Sequence, residues 1–132
     1  MKELLWNWLP ALVLMGVIFV ASDQSQLPSV SERWLDIVIK KGGHMLGYGL
    51  LASLYIRALK PHIGSSARLR WLSWGLAVGY ALTDEYHQCF VPGRNGTIVD
   101  VGIDGVGAGI SILLQRWLQR RGSRDRRESG VQ

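Results

Sequence analysis

Residues 4–22 read LLWNWLPALVLMGVIFVAS, a run of 19 residues without a charge. At 1.5 Å per residue a helix of that length spans nearly all of a hydrocarbon core of ~30 Å. The run follows Lys2 and closes on the small pair Ala21 and Ser22, so it also has the outline of a secretory leader. Its apolar part exceeds the ~7–15 residues usual for a leader and is rich in tryptophan. Three further apolar stretches follow, centred near residues 50, 78 and 109, each interrupted by charge towards one end. An uncleaved first membrane helix is therefore expected, followed by three more spans.

The 15 Lys and Arg residues give a formal charge of +5, which by itself would suggest a nucleic-acid partner. Their placement argues against one. Lys2, Arg57, Lys60, Arg68, Arg70, Arg116, Arg120, Arg121, Arg124, Arg126 and Arg127 all fall at the N-terminus, in the 57–70 segment or in the tail. Only Arg33, Lys40, Lys41 and Arg94 fall in the other connections. This asymmetry is the one the positive-inside rule describes, and it places both termini in the cytoplasm. The basic tail then faces lipid headgroups, and no nucleic-acid partner is expected. The one cysteine, Cys89, can form no internal disulfide.

At 132 residues the chain is one domain. The expected fold is all-α, an integral membrane four-helix bundle over 1–118, with 119–132 as an unstructured basic cytoplasmic tail. After the first span comes a polar external segment, then Pro28 and a Ser29/Glu32 capping-box pattern. Val30, Trp34, Ile37 and Val38 share one helical face there, which predicts a short outer interfacial helix. Gly42-Gly43 offers a break after it. The second span then runs inward over about 43–59, and the third runs outward over about 71–88. Val91-Pro-Gly-Arg-Asn-Gly96 makes a turn, and the fourth span runs inward over about 98–118. Trp71, Trp74 and Trp117 fall near the expected inner boundary and Trp34 near the outer one, as in an aromatic belt. Gly105 and Gly109, in a fourth span full of small residues, predict close helix packing.

Ionisable groups inside a membrane segment cost several kcal/mol each unless paired or hydrated. Here they gather at one level. Asp84 lies 13 residues beyond Trp71, ~20 Å along the third helix and near its outer end. Asp100 and Asp104 lie in the first two turns of the fourth helix, and His44 opens the second. Spacing assigns faces: Lys41, His44 and Tyr48 form one stripe, Tyr80, Asp84, His87 and Gln88 another, Asp100 and Asp104 a third. Glu85 and Tyr86 diverge from Asp84 by ~100° per residue and should point elsewhere.

Three separated blocks carry a recognisable pattern. They are Lys41-Gly-Gly-His44-Met-Leu-Gly-Tyr48, then Asp84-Glu85-Tyr-His-Gln88-Cys-Phe-Val-Pro-Gly-Arg94, then Asp100 with Asp104 and Gly107. In order and spacing, over roughly residues 35–115, they resemble the VanZ-like family of small bacterial membrane proteins. Asp104 departs from the family, which usually has Asn there. The resemblance implies a cell-envelope protein of the plasma membrane, connected with resistance to lipid-tailed glycopeptides of the teicoplanin type.

Three functions fit these residues. The first is an outward-facing polar pocket for a lipid-linked cell-wall precursor or a lipoglycopeptide. Lys41, Tyr48, Gln88, Arg94, Asp100 and Asp104 would bind it, with Arg94, Lys40 and Lys41 available to an anion. The second is a membrane-embedded hydrolase or transferase acting on a lipid phosphate, with Asp84, Glu85 and His44 as acid and base groups. Carboxylates with or without histidine could add a divalent cation, but no zinc signature of known spacing is present, so the metal is left open and no cofactor is expected. The third is a structural network that only locks helix ends together. Membrane lipids are the expected partners.

Overall fold

A computed structural model describes the backbone of residues 2–23 and 33–129, and the side chains within them except at 2–4, 33, 36–37 and 125–129. The described residues form four helices and no strand: α1 (Lys2–Asp23), α2 (Arg33–Ile63), α3 (Ala67–Gln88) and α4 (Ile98–Ser129). The order and the turns match the sequence reading. Ser66 caps α3, its hydroxyl accepting from Leu69 N at 3.2 Å. Gly64 (φ 72°) ends α2 in the left-handed conformation, with its N–H on the Lys60 carbonyl. Gly93 (φ 81°) follows Pro92 in a tight turn closed by Arg94 N on Val91 O at 3.1 Å, the chemistry of a type II turn.

Two features differ from expectation. The Ser29/Glu32 box lies outside the described residues. From Arg33 onward there is no separate interfacial helix, because α2 runs unbroken through Gly42-Gly43 to Ile63. A helical glycine costs only about 1 kcal/mol relative to alanine, and intrahelical bonds on both sides carry the helix through the pair. At the far end, α4 continues beyond Leu118 to Ser129, where the sequence suggested an unstructured tail. Arg121 stacks over the Trp117 ring at 4.2 Å, and Ser123 Oγ bonds the Gln119 carbonyl, so the basic extension is held as helix by its own i, i+4 contacts.

α2 is the centre of the bundle. It packs on α1, α3 and α4, whereas α1 touches α3 only slightly. The core is built from small, branched aliphatic and aromatic residues: Ala11 and Ile18 of α1, Tyr48, Leu51, Ala52 and Tyr55 of α2, Ala77 and Ala81 of α3, and Val101, Ala108 and Ile112 of α4. At the α2–α4 crossing the backbones nearly touch. A Cβ on Gly49 would stand 3.1 Å from Gly107 O, and one on Gly107 would collide with the Met45 carbonyl. Ser53 Oγ and Ser111 Oγ share a 2.7 Å hydrogen bond one turn along. Gly105 and Gly109 instead receive Trp74, whose Nε1 donates to Gly105 O at 2.9 Å. Trp74 is thus an interhelical residue, whereas Trp34, Trp71 and Trp117 are exposed.

The outside of the bundle is apolar. Leu5, Val13, Val17 and Val20 of α1 and Val106, Ile110, Leu113 and Leu114 of α4 are exposed. Continuous apolar surface of this kind is rare on soluble monomers. Leu5–Asp23 and Ile98–Arg124 are long and apolar enough to cross a membrane, and only 11% of the first is buried, unlike the core helix of a soluble bundle.

Candidate functional site

The antiparallel helices bring the end of α1, the start of α2, the end of α3 and the start of α4 to one end of the bundle. Asp84, Glu85, Gln88, Asp104, Tyr48 and Ser22 are all buried there, none more than 6% exposed. Buried polar groups must find partners or lose roughly 1–3 kcal/mol each. Part of this cluster finds them. Ser22 Oγ donates to Asp84 Oδ2 at 2.7 Å, and Gln88 Nε2 reaches Asp84 Oδ2 at 3.1 Å and Glu85 Oε1 at 3.3 Å. Thr97 N donates to Glu85 Oε2 at 2.8 Å.

Glu85 therefore joins the cluster, although its ~100° divergence from Asp84 suggested another direction. The polar site extends from α3 to both α1 and the start of α4. Asp84 turns towards α1 and Ser22, and Glu85 turns towards the start of α4 and Thr97. Tyr86 does point away and is exposed. His87 leaves the Asp84 stripe, stacking on Phe19 with ring centroids 4.5 Å apart and facing Asp23 at 3.7 Å.

The rim is made by α2 and α4. Lys41 Nζ pairs with Asp100 Oδ1, with 44% and 26% of the side chains exposed. Asp100 is held from below by Thr97, whose Oγ1 donates to Asp100 Oδ2 at 2.7 Å and accepts from Asp100 N at 3.2 Å, capping α4. One turn deeper, His44 Nδ1 stands 3.8 Å from Asp104 Oδ2, and its ring lies over Tyr48 with centroids 6.2 Å apart. Arg94 donates from Nη1 to Ala21 O at 3.1 Å, closing the last turn of α1, and no ion pair of Arg94 occurs among the described residues.

Several acceptors remain unmet: Asp84 Oδ1, both oxygens of Asp104 and the Tyr48 hydroxyl are buried without a hydrogen-bond partner. His44, Glu85 and Asp104 each offer a ligand atom, all within 4.8 Å of one another, the geometry of a group able to hold a metal ion.

All nine residues singled out from sequence lie at this end. Lys41, His44, Tyr48, Asp84, Glu85, Gln88, Asp100 and Asp104 form the cluster and its rim, and Arg94 lies beside it on the α1 side. Sequence reasoning missed Ser22 and Thr97. Ser22 closes an apolar run and resembles any small helix-end residue. Thr97 has a visible signal, a Thr three residues before Asp100 at the start of an apolar stretch.

A family model described as VanZ/LLP1 matches residues 6–119. No curated protein and no solved structure matches the chain.

Proposed function

The chain belongs to the VanZ-like family, and from that premise we propose a multi-pass protein of the bacterial plasma membrane whose outer polar end binds the headgroup of a lipid-linked or lipoglycopeptide ligand. Membership fits an envelope protein associated with teicoplanin resistance. All four helices cross the bilayer in this reading, and both termini lie in the cytoplasm. Arg68, Arg70, Arg116, Arg120 and Arg121 stand at the end of the bundle opposite the carboxylates, as the positive-inside rule requires of a cytoplasmic face.

Topology has a direct test in Cys89, the one cysteine, which is exposed at the polar end. A membrane-impermeant maleimide added to intact spheroplasts should label Cys89. A cysteine at position 123 in a Cys89→Ser chain should stay protected until the cells are opened. The reverse pattern would invert the orientation and place the polar site in the cytoplasm.

The observation that carries the binding reading is the half-open rim. Lys41, His44 and Asp100 form the rim of the cluster with Arg94 beside it, and Phe90, Ile98 and Val99 expose apolar surface at the same end of the bundle. A ligand with an acyl or polyprenyl tail in the lipid and a polar head at the boundary meets both chemistries at once. Arg94 makes no ion pair within 4 Å of a described carboxylate and serves as the anion anchor. The carboxylates accept donors from a sugar or peptide part. Arg94→Ala should cut retention of co-purifying lipid-linked headgroups by ~10-fold or more, the effect of losing one charged hydrogen bond. Mass spectrometry of the purified protein measures this, with Arg57→Ala as the control at the far end. Unchanged retention in a folded Arg94→Ala protein rejects the pocket.

A further inference from the structure

The deep part of the cluster poses a charge problem that its own hydrogen bonds leave unsolved. Asp104 is 1% exposed, and neither of its oxygens has a hydrogen-bond partner. Asp84 and Glu85 lie beside it and are also buried. Neither nearby cation makes a close ion pair with Asp104: Lys41 pairs with Asp100, and Arg94 donates to the Ala21 carbonyl. Thr97 N and Gln88 Nε2 fix the Glu85 carboxylate from two sides but bring no positive charge. Unpaired buried carboxylates cost several kcal/mol each, a cost that a bound cation would offset.

The geometry supplies a place for one. Asp104 Oδ2 faces His44 Nδ1 at 3.8 Å, and one ligand atom each from His44, Glu85 and Asp104 falls within a 4.8 Å span. Donors bound to one ion at ~2.1 Å stand ~3–4 Å apart, so a small side-chain adjustment gathers all three. We propose that His44, Glu85 and Asp104 bind a single divalent transition-metal ion of the zinc class.

The donor set argues for that class. One imidazole with two carboxylates suits a borderline cation, whereas Ca²⁺ takes six to eight oxygens and Mg²⁺ keeps a near-octahedral oxygen shell. Three ligands come from three helices, so the ion would tie α2, α3 and α4 together at this end. Three protein ligands also leave a coordination position open, as in zinc sites that take water or a substrate oxygen. The Thr97 and Gln88 donors on Glu85 serve as outer-sphere support. The ion would share His44 and the carboxylates with the headgroup reading but not Arg94, so the two are tested through different residues.

The test uses the full chain in detergent, stripped with chelator and titrated with Zn²⁺ alone. Wild type should take up about one Zn²⁺ per chain by calorimetry and elemental analysis, and its thermal midpoint should rise on binding. Asp104→Asn and His44→Ala should each weaken binding by more than the ~10–100-fold typical of an outer-sphere loss. His87→Ala should bind as wild type does, because His87 faces Phe19 and Asp23. Circular dichroism checks each fold, and the half-buried His44 gives a milder variant if Asp104→Asn does not fold. Failure of folded wild type to bind stoichiometrically overturns the site. So does undiminished affinity in both Asp104→Asn and His44→Ala, or displacement of Zn²⁺ by equal Mg²⁺. Because the titration contains no lipid-linked ligand, a negative result bears on the ion alone, and Arg94→Ala retention bears on the headgroup alone.

Discussion

Replacing Gly107 with leucine should prevent the chain from accumulating as a folded bundle. A side chain there starts in a forbidden place, since its Cβ alone would collide with the Met45 carbonyl oxygen and Met45 Cγ. A flexible side chain could swing away, but a carbonyl in the middle of α2 moves only with its helix. On the other side of the contact, a Cβ on Gly49 would lie 3.1 Å from Gly107 O and 3.4 Å from Ser111 Cβ. Forcing α2 and α4 apart also breaks the Ser53–Ser111 hydrogen bond and withdraws Lys41 from Asp100 and His44 from Asp104. Even Gly107→Ala should exceed the ~1–3 kcal/mol usual for an added methylene, because backbone and not side chain must give. Gly102→Ala is the matched control. It lies in the same helix with no atom within 4 Å of an added Cβ, and should be neutral or stabilising by up to about 1 kcal/mol. Denaturation midpoints in mixed detergent micelles decide the matter. A Gly107→Ala protein as stable as wild type would mean that α2 and α4 do not approach this closely.

What could be read from the sequence was what obeys local rules. The Lys41/His44/Tyr48 stripe, the breaker run 91–96 and the acids opening α4 follow from helical period and turn chemistry, and each lies where those rules place it. What could not be read depends on partners distant in the chain. Ser22 and Asp84 are 62 residues apart and meet only because α1 docks on α2 beside the end of α3. Trp74 had the depth of a belt residue, and only the groove over Gly105 and Gly109 turns it inward. Glu85 shows the limit of assigning one face per function. On a helix touched by neighbours on both sides, adjacent residues can serve one site from two directions. Gly42-Gly43 shows the converse, since low helix propensity is a small term that a long helix overrides.

The same dependence on distant partners makes the α3–α4 turn the most sensitive lever on the site. Gly96→Val should abolish both ion and headgroup binding while leaving the bundle folded. A Cβ at Gly96 would land on the Glu85 carbonyl oxygen and 3.0 Å from Cys89 Sγ, so the turn cannot keep its seat on the last turn of α3. Lifting it removes Thr97 N from Glu85 Oε2, now 2.8 Å away, and disturbs the Thr97 cap that orients Asp100. Losing a hydrogen bond to a buried carboxylate is worth about 1.5–3 kcal/mol, or ~10–100-fold in affinity, before the displacement of Asp100 is added. The α2–α4 crossing lies deeper in the bundle and does not use the turn, so helical content should persist. Cys89 gives an independent readout. Its thiol rests against the Glu85 and Gly96 carbonyls at 3.4 and 3.8 Å, and raising the turn should speed its alkylation. Asn95→Ala, at the exposed neighbouring position, should change neither binding nor alkylation rate. If Gly96→Val keeps wild-type Zn²⁺ affinity, headgroup retention and Cys89 reactivity, then the turn does not position Glu85, and the cluster must be held by α2 and α4 alone.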